Sequence, residues 1–366
     1  MTSLPPMEVP RRLERLTAVL EEAGLDALVV SHLPNVRYLT GFTGSAGMLL
    51  VHAGGSVLVT DGRYRDQAGE QVAASGAVVD VAIGATAADQ REILAASASG
   101  AARVGLEDHV VTWAEQRALS ERLAPAELVA AGALVEDLRR SKDPGEVARI
   151  RLACSIADAA LDAVRSRLAS SPTESEFALG LEVEMRTRGA SGVSFDAIVA
   201  SGPNAAMPHA RPTDRRIERG ELVVIDFGCI VDGYCSDMTR TLSVGDPGPD
   251  ARRLFETVMT ANAAGREAVT VGVECRAVDA AARAVVDAEG LGDAFVHGTG
   301  HGVGVEIHEA PRLAATSRDT LIEGDVVTVE PGVYVTGVGG VRIEDTVVVT
   351  ASGAEPLTCS PKDLLL

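Results

Sequence analysis

The chain has 366 residues, 46% of them hydrophobic and 23% charged, which is enough for two domains and a core that needs no disulfide staples. Thirty-three basic against 52 acidic side chains give a net charge of −19, which excludes nucleic acid and anionic membranes as default partners. Five scattered cysteines with no CxxC, no signal-like N-terminus and no apolar run of the ~20 residues a bilayer needs predict a cytoplasmic protein without disulfides or a cysteine-type zinc site.

Arg11 to Ala23 has the apolar spacing of a helix and stops at Gly24, where a glycine can take positive φ. Short β-like runs follow at 26–30, 47–51 and 56–60, punctuated by Gly54-Gly55 and Asp61-Gly62, with another after 103. Residues 1–138 read as one α/β domain, and the polar stretch RRSKDPGE (139–146) opens a second, 139–366. The second begins with a long helix, about 145–169, then a shorter one with a capping box, Thr173-x-x-Glu176, and an end near Gly189. Strand-like segments occupy 194–200, 221–228 and 234–244. Two more helices, roughly 250–269 and 276–289, precede the segments FVHGTGHG, DVVTVEPGVYV and VRIEDTVVVT. The order helix, helix, strands occurs twice, which predicts two similar halves in an α/β (α+β) architecture.

The chemistry begins at ELVVIDFGCIVDGYCSDMTRTL. Asp232-Gly233 between apolar runs predicts a two-residue hairpin turn. Counting back from it, 231 faces 234, 228 faces 237 and 226 faces 239. Alternation along a strand then puts Asp226 and Asp237 on one face as diagonal neighbours, roughly 7–8 Å apart at the backbone. Asp226 also interrupts an apolar run, and a buried carboxylate needs a hydrogen-bonded or cationic partner. Glu330 in VVTVEPGVYV and Glu344 in VRIEDTVVVT repeat the pattern, so three apolar strands carry acid in their midst. His297, His301 and His308 sit in the Gly-rich HGTGHGVGVEIHE, whose glycines argue against a zinc-binding helix and which lacks the lysine and helix start of a phosphate loop.

Four carboxylates and an imidazole form an oxygen-rich ligand set suited to manganese, iron, cobalt or zinc. Two like charges ~4 Å apart repel by about 4 kcal/mol at an effective dielectric near 20, so four converging carboxylates resist ionising together. Two divalent ions cancel that charge. The expected centre is dinuclear, of the kind that activates water at neutral pH.

The order Asp, eleven residues to Asp, HGxGHGVG, VEPGVY, RIEDT resembles the pita-bread metallopeptidases, which include aminopeptidase P, prolidase and methionine aminopeptidase. The resemblance covers most of 140–352. NVRYLTGFTGSAG (35–47) and TDGRYRDQA (60–68) extend it to the creatinase-like N-terminal domain of the aminopeptidase P and prolidase branch. It implies that Asp226 chelates one metal, His301 and Glu330 hold the other, and Asp237 and Glu344 bridge them. Glu330 would also be the general base. His209 would lie near the substrate carbonyl, His308 would stabilise the oxyanion, His297 would line a proline pocket, and Arg342 would pair with the metal-binding Asp. The implied cofactor is a pair of divalent ions, manganese first, with cobalt, zinc or iron as alternatives. The implied substrates are peptides with proline at the second position, cleaved by a homodimer. FTGSAG and DGRYRDQA lean toward aminopeptidase P, with Xaa-Pro dipeptidase as the alternative. A creatinase-like amidinohydrolase and a non-catalytic binding module are the remaining readings; intact ligands at all five metal positions weigh against both.

Overall fold

The computed structural model describes residues 4–366; the first three, part of the N-terminus read as lacking a signal, lie outside the described residues. The chain divides into two compact units, Pro6–Arg139 and Arg140–Leu366, with Leu4 and Pro5 grouped with the second. No helix of the described residues is long and apolar enough to cross a membrane.

The first unit alternates helix and strand: α1 (Val9–Glu22), β1 (Ala27–Val30), α2 (Leu33–Thr40), β2 (Met48–His52), β3 (Gly55–Thr60), α3 (Arg65–Ser75), β4 (Asp80–Ile83), α4 (Ala87–Ser97), β5 (Arg103–Leu106), α5 (Trp113–Leu123), β6 (Glu127–Ala130) and α6 (Leu134–Arg140). The strands form one sheet in the order β4-β3-β2-β1-β5-β6, antiparallel only where β2 pairs β1 and β3. Because side chains alternate across a strand, this sheet feeds two cores. Leu28, Val30, Leu49, Val51 and Leu58 meet Leu13, Leu16 and Leu20 of α1 on one face. Ala27, Val29, Leu50, Val57 and Val104 meet Leu94 and Leu119 on the other.

The second unit starts with α7 (Pro144–Val164) and α8 (Glu174–Thr187), each opened by a capping box, Asp143 with Glu146 and Thr173 with Glu176. The last turns expected of the long helix are instead a 3-10 segment, Arg165–Ser170. Strands β7 (Gly192–Val193), β8 (Ile198–Ser201), β9 (Leu222–Phe227), β10 (Cys229–Val231), β11 (Tyr234–Cys235) and β12 (Met238–Ser243) follow. Residues 194–197, expected in a strand, are not in one: the Ser194 hydroxyl donates to the carbonyls of Cys229 and Ser236, and pairing begins at Ile198. Then come α9 (Pro249–Ala268), α10 (Cys275–Ala288), β13 (Gly300–Gly302), β14 (Glu309–Leu313), β15 (Val326–Val329), β16 (Gly332–Val335), β17 (Gly339–Arg342), β18 (Asp345–Thr350) and β19 (Gly353–Pro356). Helix, helix, strands does occur twice. Leu161, Leu181 and Met185 of the first helix pair pack on Ile225 and Phe227, while Leu254, Val258 and Ala282 of the second pack near Val333 and Val341.

Three long strands expected from the sequence are each divided, because the chain leaves one sheet and enters another. Segment 234–244 splits into β11, paired with β10, and β12, paired with β9. Segment 326–335 splits at Glu330-Pro331 between a five-stranded sheet, β14-β13-β15-β18-β19, and the hairpin β16-β17. Segment 341–350 makes the reverse crossing at Ile343-Glu344. Asp237, Glu330 and Glu344 all stand at these breaks.

Candidate metal centre

The hairpin turn places the first two acids. Asp232 and Gly233 both take positive φ, 45° and 80°, the geometry that matches strand twist in a two-residue loop. Val231 pairs with Tyr234, and Asp226 pairs with Thr239, the register that the turn predicts. Asp226 and Asp237 line one cleft of about 440 Å³.

His301 reaches the same cleft from β13, a short strand and not a helix. Its flanking glycines are required by close backbone approach. A Cβ on Gly300 would lie 2.0 Å from the Thr328 carbonyl oxygen, and one on Gly302 would lie 2.2 Å from that of Ala310. His301 Nε2 sits 3.6 Å from Asp237 Oδ2 and 3.4 Å from Glu330 Oε1. One ligand atom each from Asp237, His301 and Glu344 lies within 4.8 Å of the others. His209, His297, His308 and Arg342 complete the wall, so the cleft gathers all nine residues singled out in the sequence.

The electrostatics of this cluster are unresolved by protein alone. Burial, then the charges of neighbouring acids, raises the carboxyls of Asp237 and Glu344 well above their usual range; burial also raises Glu330 against the pull of Arg342. Asp226 Oδ1 and Glu344 Oε1 are buried and accept no hydrogen bond from the described residues. Converging, partly unsatisfied carboxylates are what a divalent cation relieves, so the donor set fits one. Burial lowers His297, His301 and His308, which leaves the imidazoles neutral at pH 7.

Several side chains that hold the acids were not found by the sequence reading. Thr239 donates to Glu344 Oε2 at 2.7 Å, and Thr328 donates to Glu330 Oε1 at 3.3 Å. Tyr334 is another: its hydroxyl accepts at 2.6 Å from Arg342, the arginine already singled out in the sequence and here a donor to Asp226, and also meets His297 Nε2 at 3.0 Å. Arg240 and Asp345 form a buried pair beneath Glu344. Thr239 was within reach of the hairpin register, since it faces Asp226. Tyr334 carries no such signal, because β16 belongs to another sheet.

Comparison with known proteins places this geometry. Residues 148–351 match the model of metallopeptidase family M24, and 12–141 match the creatinase/prolidase N-terminal domain. A solved Xaa-Pro dipeptidase from Bacillus anthracis superposes with a TM-score of 0.93 at 38% identity, covering 98% of this chain and all of that one. An Xaa-Pro dipeptidase of Pyrococcus furiosus is 35% identical over 97% of this chain and 99% of its own. An X-Pro aminopeptidase from Thermotoga maritima superposes with a TM-score of 0.88 at 32% identity, over 97% and 100% of the two chains. The family model spans more than half of the chain and the likeness extends over nearly all of it: this chain is an enzyme of metallopeptidase family M24.

Proposed function

We propose that the protein is an Xaa-Pro dipeptidase, and that Asp226, Asp237, His301, Glu330 and Glu344 hold two divalent ions. The observation that carries this reading is the gathering of five ligand-type residues, three further histidines and Arg342 on one cleft of dipeptide-compatible size. The dipeptidase reading replaces the lean toward aminopeptidase P. Relatives named Xaa-Pro dipeptidase are 35–38% identical over 97–98% of this chain, which supports the dipeptidase reading over that lean.

Divalent ions would supply Lewis-acid activation of the scissile carbonyl and of water. The residues do the rest. Glu330, beside His301, would accept the proton of the attacking water and return it to the departing proline nitrogen. Arg342 would hold Asp226 in place through its guanidinium. His308, whose ring lies 4.4 Å from that of His301, would face the developing oxyanion, and exposed His209 would meet the substrate carbonyl. His297, packed edge-on against Phe295, would line the proline-ring pocket with Phe195 and Ile198 of the same cleft. Such a site suits proline, whose nitrogen offers no N–H for a peptidase to grip. Manganese as the metal, a homodimer and a cytoplasmic setting belong to the same proposal.

The test is an assay with manganese-reconstituted protein on Xaa-Pro and Xaa-Pro-Yaa. Preferential turnover of the dipeptide is expected. Faster cleavage of the tripeptide restores aminopeptidase P, and no cleavage of either overturns the proline assignment.

A further inference from the structure

The first unit gathers a second set of metal-type ligands that the peptidase reading does not use. His32 follows β1 and immediately precedes α2, His109 lies in the loop between β5 and α5, and Glu136 sits in the first turn of α6. His109 Nε2 is 3.1 Å from Glu136 Oε1, and His32 Nδ1 is 3.6 Å from the same oxygen. The two rings meet edge to face with centroids 6.1 Å apart. One ligand atom from each residue lies within 4.8 Å of the other two.

Those spacings resemble the donor triangle around a small cation. Zinc holds nitrogen and oxygen ligands at about 2.0–2.1 Å, which in a tetrahedron sets neighbouring donors roughly 3.3 Å apart. The two measured nitrogen–oxygen separations bracket that value. The carboxylate is also prepared. Asn35 Nδ2 donates to Glu136 Oε1 at 2.6 Å and to Glu107 at 2.7 Å, while Arg139 donates to Asn35 Oδ1 at 2.7 Å. Outer partners of this kind orient ligands in metal sites. Glu136 Oε2 is buried and accepts no hydrogen bond from the described residues, so the carboxylate has capacity left for a ligand.

We propose that His32, His109 and Glu136 form a zinc site in the N-terminal unit, with two imidazole nitrogens, one carboxylate oxygen and a solvent-facing fourth position. The His109 side chain is 43% exposed, which gives an ion an entry path and leaves room for water as fourth ligand. Borderline ions such as zinc suit mixed nitrogen and oxygen donors, whereas calcium and magnesium prefer oxygen alone. The site would staple the β1–α2 junction, the β5–α5 loop and α6, three points brought together only by folding. Zinc would therefore stabilise the folded unit in proportion to the logarithm of its concentration over the dissociation constant. This inference stands apart from the peptidase reading, because it uses no residue of the cleft.

The experiment measures zinc per chain by elemental analysis after dialysis of the full-length protein against micromolar free zinc. His109→Ala alters an exposed ring and should fold; it should bind one ion fewer than the wild type, as should Glu136→Gln. The same one-ion deficit should persist when His109→Ala is added to an Asp237→Asn/Glu344→Gln background, where the cleft's ligands are impaired. In that background zinc should raise the melting temperature, and His109→Ala should abolish the rise. Equal zinc content in wild type and His109→Ala overturns the site.

Discussion

Two groups of buried acid in the second unit show what separates a carboxylate that holds a fold from one that serves a site. Glu174, at the start of α8, is 0% exposed, yet both its oxygens are occupied. Oε1 accepts from the backbone N–H and hydroxyl of Ser201, and Oε2 accepts from the backbone N–H and hydroxyl of Thr213, with Asn204 donating to each. Hydrogen bonds replace the lost water at both oxygens. Asp226, Asp237, Glu330 and Glu344 are packed together with fewer donors, and two of their oxygens have none among the described residues. Burial alone does not mark a functional acid. Burial without enough donors does.

Loss of function is the largest effect this contrast predicts. Glu330→Gln keeps the shape and removes a proton carrier, so kcat should fall by roughly 10²–10⁴-fold while the protein remains folded. Glu174→Ala should leave activity per folded molecule unchanged. A Glu330→Gln variant with near-wild-type kcat would break the assignment of the cleft as the reacting site.

Stability separates the two groups by sign. Glu174→Ala strands five donors and should cost about 3 kcal/mol, read in a denaturant melt. Glu344→Gln, by removing one charge from a repelling cluster, should raise the stability of metal-free protein. The pH dependence sharpens this. Because burial and neighbouring acids raise the Glu344 and Asp237 carboxyls in the folded state, the unfolded chain gives up their protons first. Metal-free protein should therefore lose stability as pH climbs from about the ordinary carboxylate range, ~4, toward neutrality, and Glu344→Gln should flatten that slope. Manganese should restore the lost stability, more at pH 8 than at pH 5, since its binding displaces protons. A metal-free melting temperature that rises over the same interval would show that the acids are not in conflict.

How far this arrangement is legible in sequence depends on whether the signal is local. The register of β9 on β12 follows from two residues, Asp232 and Gly233, because a tight turn transmits parity along both strands. Each ligand acid is visible as a charge inside an apolar run, and the glycines beside His301 are visible though their cause, two carbonyls pressed against them, is not. The strand breaks at 236–237, 330–331 and 343–344 are not legible. An uninterrupted β pattern says nothing about which sheet each half joins, and that choice is made by partners far along the chain. For the same reason Arg240, which donates to the Glu344 carbonyl and pairs with Asp345, looks in sequence like an ordinary strand residue. In the first unit every strand stays in one sheet, and the β runs translate into strands with ends shifted by about a residue.

The smallest effect tests the support around Asp226. Tyr334 sits between Arg342 and His297, with its hydroxyl 2.6 Å from the guanidinium and 3.0 Å from the imidazole. Since the guanidinium can only donate, the hydroxyl accepts from Arg342 and has its own proton free for His297 Nε2. That orientation agrees with the neutral imidazole that burial enforces, and with an Nδ1–H directed at the Gly298 carbonyl 2.8 Å away. Tyr334→Phe removes both bonds and leaves the ring. Arg342 keeps its bonds to Asp226, Thr239 and the Pro208 carbonyl, so the metal ligand stays anchored, while His297 loses what fixes its tilt. One hydrogen bond contributes about 0.5–1.5 kcal/mol net, so a two- to tenfold change is expected. It should fall on KM for proline-containing substrates, because His297 is the group set free, with bound metal per chain unchanged. Loss of metal in Tyr334→Phe would instead make the tyrosine a support of Asp226 acting through Arg342, and a change in neither quantity would reduce it to packing.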